Sequence, residues 1–186
     1  MKFLRFFFFA ILSITMSVAP ARNPQRGYRG FLDISYSRMN AELYGFLSSV
    51  SNDWGISTVH GYQINRMFFA GVGAEINSCS PGNNFYVPVF GDFRADFKFG
   101  RFTPYADLRV GYAFADNGGF RFSPSVGYRF NTRRRVGWNL SIGYTFQHVQ
   151  GSSFLVGSYW DPTHVETYVI EPYNMNGFTV RFGLDF

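Results

Sequence analysis

A chain of 186 residues holds one domain. Aromatic residues make up 21% and charged residues only 16%, too few charges for an ordinary soluble surface. No apolar run beyond the N-terminus is long enough for a membrane helix, and the formal net charge of +5 is too mild to indicate a nucleic-acid partner. Near-neutral mean hydropathy suits a membrane barrel, in which the apolar band is spread over alternate residues.

The N-terminus reads Met1-Lys2-Phe3-Leu4-Arg5, then an apolar run over 6–14, then Ala19-Pro20-Ala21. Positive charges, an apolar core and a small-x-small site predict a secretory signal peptide over 1–21, cleaved after Ala21, and a mature chain of 22–186. Removing Lys2 and Arg5 leaves 15 basic against 12 acidic residues. The single cysteine, Cys79, rules out an internal disulfide.

The first strand is predicted over 28–38, with Leu32, Ile34 and Tyr36 on one face and Asp33, Ser35 and Ser37 on the other. Residues 39–52 read as a loop. The second strand, 53–65, puts Trp54, Ile56, Thr58, His60, Tyr62 and Ile64 on one face, and Ser57, Val59, Gly61 and Gln63 on the other. Asn65-Arg66 turns the chain into the third strand, 67–77, with Phe68, Ala70, Val72, Ala74 and Ile76 outward and Gly71, Gly73 and Glu75 inward. Residues 78–85 form a turn-rich loop by their Pro, Gly and Asn content. In the fourth strand, 86–99, Val87, Val89, Phe93, Ala95 and Phe97 alternate with Asp92, Arg94, Asp96 and Lys98.

Gly100-Arg101 leads to the fifth strand, 102–114, with Ala106, Leu108, Val110 and Tyr112 outward and Asp107 and Arg109 inward. Asp116-Asn117-Gly118-Gly119 is a hairpin signal. The sixth strand, 120–130, faces Arg121, Ser123, Ser125 and Arg129 inward. Arg133, Arg134 and Arg135 mark a solvated turn. The seventh strand, 136–148, sends Trp138, Leu140, Ile142, Tyr144 and Phe146 outward. The longest connection, 150–173, has a stretch over 164–170 expected to extend the flanking strands. The closing strand alternates Phe178, Val180, Phe182, Leu184 and Phe186 with Thr179, Arg181, Gly183 and Asp185.

The fold class is therefore all-β, an eight-stranded antiparallel up-and-down transmembrane β-barrel behind a cleavable signal peptide. An even count places both termini on one side and leaves no open edge in lipid. The expected pattern has long connections after the first, third and seventh strands and short turns after the second, fourth and sixth. Pro88, Pro104 and Pro124 are expected near strand ends, where a missing donor costs least. Tyr36, Trp54, Phe68, Phe97, Phe102, Phe130, Trp138 and Phe186 are expected to form aromatic girdles at the strand ends.

The inward acids Asp33, Glu75, Asp92, Asp96, Asp107 and Asp185 face the inward bases Arg94, Lys98, Arg109, Arg121, Arg129 and Arg181. An eight-stranded barrel is just wide enough for side chains to fill it. A balanced set predicts a salt-bridged filling that holds the wall together; a narrow ion path through the lumen is the alternative. No metal-ligand spacing, cofactor motif or catalytic constellation stands out. Exposed Tyr44, Asn83, Asn84, Tyr159, Trp160 and Tyr168 suit contact with a protein or glycan.

With eight strands placed, the chain resembles small outer-membrane barrels of the OmpX, OmpA transmembrane-domain and opacity-protein type. The stretches HGYQINRMFFAGVGAEI, VPVFGDFRADF, TPYADLRVGYAF, SPSVGYRF and LSIGYTF resemble exported barrel proteins of Bacteroidetes. The resemblance implies the outer membrane of a Gram-negative bacterium. It also implies contact with outer-membrane lipid and lipopolysaccharide, and biogenesis by periplasmic chaperones and the barrel-assembly machinery. The closing Phe182, Leu184 and Phe186 look like the C-terminal signal that this machinery reads. Lipid A deacylases among such barrels use a His and a Ser two residues apart with an orienting acid. Here His148 is followed by Gln150, with Ser152, Ser153, Glu166 and Glu171 beyond, so the enzyme reading is a secondary expectation.

Overall fold

The computed structural model describes residues 26–43, 47–80, 84–97, 100–114, 118–131, 136–157 and 165–186. The expected signal peptide over 1–21, Lys98, the 133–135 run, and the loop residues Tyr44, Asn83, Tyr159, Trp160 and His164 lie outside the described residues. The strands are β1 (Gly27–Leu43), β2 (Leu47–Gln63), β3 (Phe68–Ser80), β4 (Asn84–Asp96), β5 (Phe102–Phe114), β6 (Gly119–Asn131), β7 (Gly137–Val149), β8 (Ser152–Gly157), β9 (Val165–Ile170) and β10 (Tyr173–Asp185). Eight of them close a barrel in the order β1-β10-β7-β6-β5-β4-β3-β2, every pair antiparallel.

Paired residues can be followed once round the wall, from Asp53 through Ser37, Thr179, Gly143, Ser125, Asp107, Arg94 and Phe69 to Gln63. The path returns to β2 ten residues further on. With eight strands this stagger tilts each strand by about 40° to the barrel axis. The alternation of the sequence becomes two surfaces. Outward residues are apolar and open, with Phe178 at 70% and Val72 at 67% exposure, whereas inward residues are mostly polar and buried. A soluble barrel has the reverse arrangement.

Three expectations about the wall are corrected. The loops expected over 39–52 and 78–85 are largely strand: β1 and β2 run on to Leu43 and Leu47, and only 44–46 and 81–83 separate the hairpin arms. The alternation continues there, with Met39, Ala41 and Ser51 buried and Arg38 and Asn40 exposed, so the ladder has no reason to stop. Length on this side of the barrel therefore comes from protruding strands. Tyr36 and Trp54 consequently lie within strands; their rings meet at 4.9 Å, where the apolar belt gives way to Arg38, Asn40 and Asn52. The stretch 164–170 is expected to extend the flanking strands, and over 165–170 it does: β9 pairs with β8 in the register of β7 and β10, Ser152 with Ile170 following Val149 with Tyr173, across a break at 150–151 and 171–172.

Pro88 and Pro124 are the third correction, whereas Pro104, the third residue of β5, is near a strand end as expected. Pro124 sits in the middle of β6, and Pro88 is the fifth residue of β4. Each pairs on one side only: Pro88 with Ala113 of β5, and Pro124 with Leu108 of β5. On the other side the ladder is interrupted, opposite Glu75 and Ile76 of β3 and opposite Tyr144 and Thr145 of β7. A residue without an N–H is accommodated by turning its silent side to one neighbour.

The turn between β2 and β3 is tight because the Asn65 carboxamide accepts from the amides of Met67 and Phe68, both at 2.8 Å.

Candidate functional site

Inward-pointing positions of all eight barrel strands converge on the lumen. Asp33, Glu75, Asp92, Arg94, Asp96, Asp107, Arg109, Arg121, Arg129, Arg181 and Asp185 are all buried there. Arg29 and Asp53, which sequence reasoning missed, join them. Among the described residues seven acids thus face six arginines. The parity of β1 and β2 carried the missing signal: Arg29 lies four residues before inward Asp33, and Asp53 lies four before inward Ser57.

The network is layered. At the end holding the C-terminus, Arg29 donates to Asp185 (3.1 and 2.7 Å), Asp96 (3.0 Å) and Gln63 (2.7 Å). Arg129 completes this mouth, 2.8 Å from Asp96 and 3.5 Å from Asp185. Above it lies an apolar septum of Phe31, Val59, Phe69 and Phe90. The guanidinium of Arg94 is 3.8 Å from the centre of the Phe31 ring and 4.6 Å from that of Tyr105. Its Nε and Nη1 make no hydrogen bond; ring faces and the carboxylates of Asp92 (3.8 Å) and Asp107 (4.0 Å) hold the charge.

In the middle of the lumen Arg109 is the hub, 2.5 Å from Asp33, 3.3 Å from Asp92 and 3.5 Å from Asp107. Arg181 reaches Asp107 at 3.7 Å and donates to Ser123 and Ser125. Toward the other mouth, Arg121 lies 3.8 Å from Glu75 and donates to the Tyr86 hydroxyl at 3.0 Å, which in turn donates to Asp53 at 2.6 Å. Ser35 donates to Glu75. A cavity of about 10 Å³ lies among Glu75, Pro88, Arg109, Arg121, Ser123 and Arg181, the size of one water.

Such an interior is a filling. Buried charges are tolerable when paired on several sides, and each arginine here bridges two or more strands. The interior aromatics were not anticipated, because Phe31, Phe69, Phe90 and Tyr105 break the rule that apolar residues face out. In so narrow a barrel they supply bulk that small inward residues such as Gly71 and Gly73 leave unfilled.

Among solved structures the fold is similar to the crystal structure of Neisserial surface protein A, with a TM-score of 0.52 and 13% sequence identity over 87% of this chain and 98% of that chain. The two share a fold. No protein-family model matches this chain, and no curated protein does.

The residues of the expected assembly signal line the outer face of β10. Phe182 stacks on Trp138 with ring centres 5.4 Å apart, Leu184 pairs across the seam with Leu32, and Phe186 closes the strand. The residues of the deacylase expectation are not drawn together among the described side chains. His148 bonds Asn174 through Nδ1 at 2.8 Å, Glu171 is exposed, and Ser152, Ser153 and Glu166 lie in β8 and β9, whose side chains are outside the described set.

Proposed function

We propose that the chain is an integral outer-membrane protein of a Gram-negative bacterium, non-enzymatic, that braces the membrane and presents its β7–β10 hairpin and neighbouring strand ends to the surroundings. The observation carrying this reading is the closed wall whose outside is apolar and whose inside is charged. Only a surround of lipid makes such an exterior favourable. Aromatic residues ring the end that holds the C-terminus: Tyr28, Tyr62, Phe68, Phe102, Phe130 and Trp138 belong to the inner ends of their strands, as a headgroup girdle would. Likeness in fold to a protein named for the cell surface agrees with this reading.

The finer resemblance to OmpX-like and Bacteroidetes exported barrels belongs to the same proposal. So do its partners: outer-membrane lipid and lipopolysaccharide at the wall, periplasmic chaperones and the barrel-assembly machinery during biogenesis, and a protein or glycan at the outer hairpins. The septum of Phe31, Val59, Phe69 and Phe90 favours a sealed wall over conduction. A tag placed between β8 and β9 should be detected on intact cells, and a tag placed just before β1 only after the outer membrane is opened. The reverse pattern would overturn the reading.

A further inference from the structure

The outer face of the β1–β2 hairpin carries a recess that the C-terminal ring occupies. Gly30 and Phe186 form a reciprocal backbone pair, Gly30 N–H donating to the Phe186 carbonyl at 2.8 Å and Phe186 N–H to the Gly30 carbonyl at 3.0 Å. The phenyl ring lies flat across Gly30. A Cβ at that position would stand 2.6 Å from Phe186 Cε2 and 2.8 Å from Cζ, so the ring fits only because Gly30 has no side chain.

His60, the β2 partner of Gly30, forms the wall of the recess, its ring meeting that of Phe186 edge-on at 6.4 Å. Both His60 nitrogens are occupied: Nδ1 lies 2.5 Å from the Tyr28 hydroxyl and Nε2 2.9 Å from the Thr58 hydroxyl. The Tyr28 ring also stacks on the imidazole at 6.1 Å. An imidazole clamped by a hydroxyl on each side is a fixed wall, and the tautomer is free to follow whichever hydroxyl donates.

We infer that Gly30, His60 and Tyr28 form a preformed binding notch for an aromatic side chain, whose ligand is the chain's own Phe186, and that seating this ring sets the register in which β10 closes the barrel. The inference rests on the outer-membrane reading above. It assigns to the first hairpin a recognition role, separate from any reading of Phe186 by assembly machinery. A slip of one residue would turn every side chain of β10 to the wrong face; in such a register the ring would fall away from Gly30.

The test is refolding of the mature chain into phosphatidylcholine vesicles with no assembly machinery, followed by the mobility difference between boiled and unboiled samples. Gly30→Ala should slow closure by about fivefold or more. Gly91→Ala is the control, because its Cβ would face the same outer surface with nothing nearer than 3.5 Å; it should refold at the original rate. In the Gly30→Ala background a further Phe186→Ala change should add little, since the ring has already lost its seat, whereas in the original chain Phe186→Ala alone should slow closure as much as Gly30→Ala. His60→Leu keeps bulk but loses both hydroxyl contacts, and should give a smaller slowing. Equal rates for Gly30→Ala and Gly91→Ala, or additive effects of Gly30→Ala and Phe186→Ala, would overturn the notch. Failure of the unaltered chain to enter vesicles at all would instead count against the membrane reading on which it rests.

Discussion

Arg29 grips Asp185 with two hydrogen bonds, Nε to Oδ1 at 3.1 Å and Nη2 to Oδ2 at 2.7 Å, across the seam where the first and last barrel strands meet. The same guanidinium reaches Asp96 on β4, on the far side of the mouth. One side chain thus fastens the seam and spans the lumen. Replacing it by methionine leaves Asp185 and Asp96 buried with Arg129 as their remaining cation, and should cost about 3–5 kcal/mol. Arg29→Lys keeps the charge but not the fork and should cost less. Urea unfolding of the vesicle-embedded protein measures both; equal midpoints for Arg29→Met and the unaltered chain would show that the mouth contributes nothing.

The septum makes a second prediction. Phe31 is fully buried inside the barrel, edge-on to Phe69 at 5.1 Å and beneath the Arg94 guanidinium. Phe31→Ala should destabilise the barrel by about 3–5 kcal/mol. The unaltered protein should give no current steps in planar bilayers. Steps in the unaltered protein would mean that the lumen conducts despite the septum.

The proline interruptions make a third. Proline offers no N–H to the carbonyl that faces it, the ladder is interrupted opposite Pro88 and Pro124, and a backbone group unpaired in lipid is costly. In hydrogen exchange on the vesicle-embedded protein, the segments around Glu75–Ile76 and Tyr144–Thr145 should exchange before those around Leu32–Ile34 or Gly127–Tyr128. Uniform protection along all strands would contradict the interruptions.

The barrel was legible because its physics is periodic. Strand after strand alternates an apolar outward residue with a polar inward one, and β5 was bounded to the residue. Alternation says which face a residue takes; it does not say where the membrane ends. That is why 39–52 and 78–85 read as loops: past the apolar belt the phase inverts, with Met39 and Ala41 buried and Arg38 and Asn40 exposed, and a strand with a polar outer face looks like a connection. The inward aromatics escaped for a related reason. Phe31 and Phe69 sit at polar-phase positions, and only the crowding of a narrow lumen explains them. Arg29 lies inside the expected first strand and on the parity of Asp33, but it stands before the run of alternation that begins at Leu32 and was not counted with the inward bases, and Lys98 lies outside the described residues. Pairing partners across the lumen, such as Arg109 with Asp33, depend on the stagger of the barrel, which no single strand encodes.

The C-terminal strand carries a fourth prediction. Phe186 belongs at once to the seam and to the expected assembly signal. Deleting it, or replacing it by aspartate, should lower the amount of assembled barrel in cells more than any single loop change. Immunoblots of outer-membrane fractions measure this, and equal assembly of Phe186→Asp and a loop variant would count against it.

The central claim is that this chain is a closed barrel embedded in the outer membrane. Fractionating cells and running the protein unboiled and boiled in dodecyl sulfate tests it most directly. The protein should be found with the outer membrane and should shift its mobility on boiling, as a wall held by eight paired strands opens. A protein that remains monomeric in buffer without detergent, or that migrates identically with and without boiling, would contradict it.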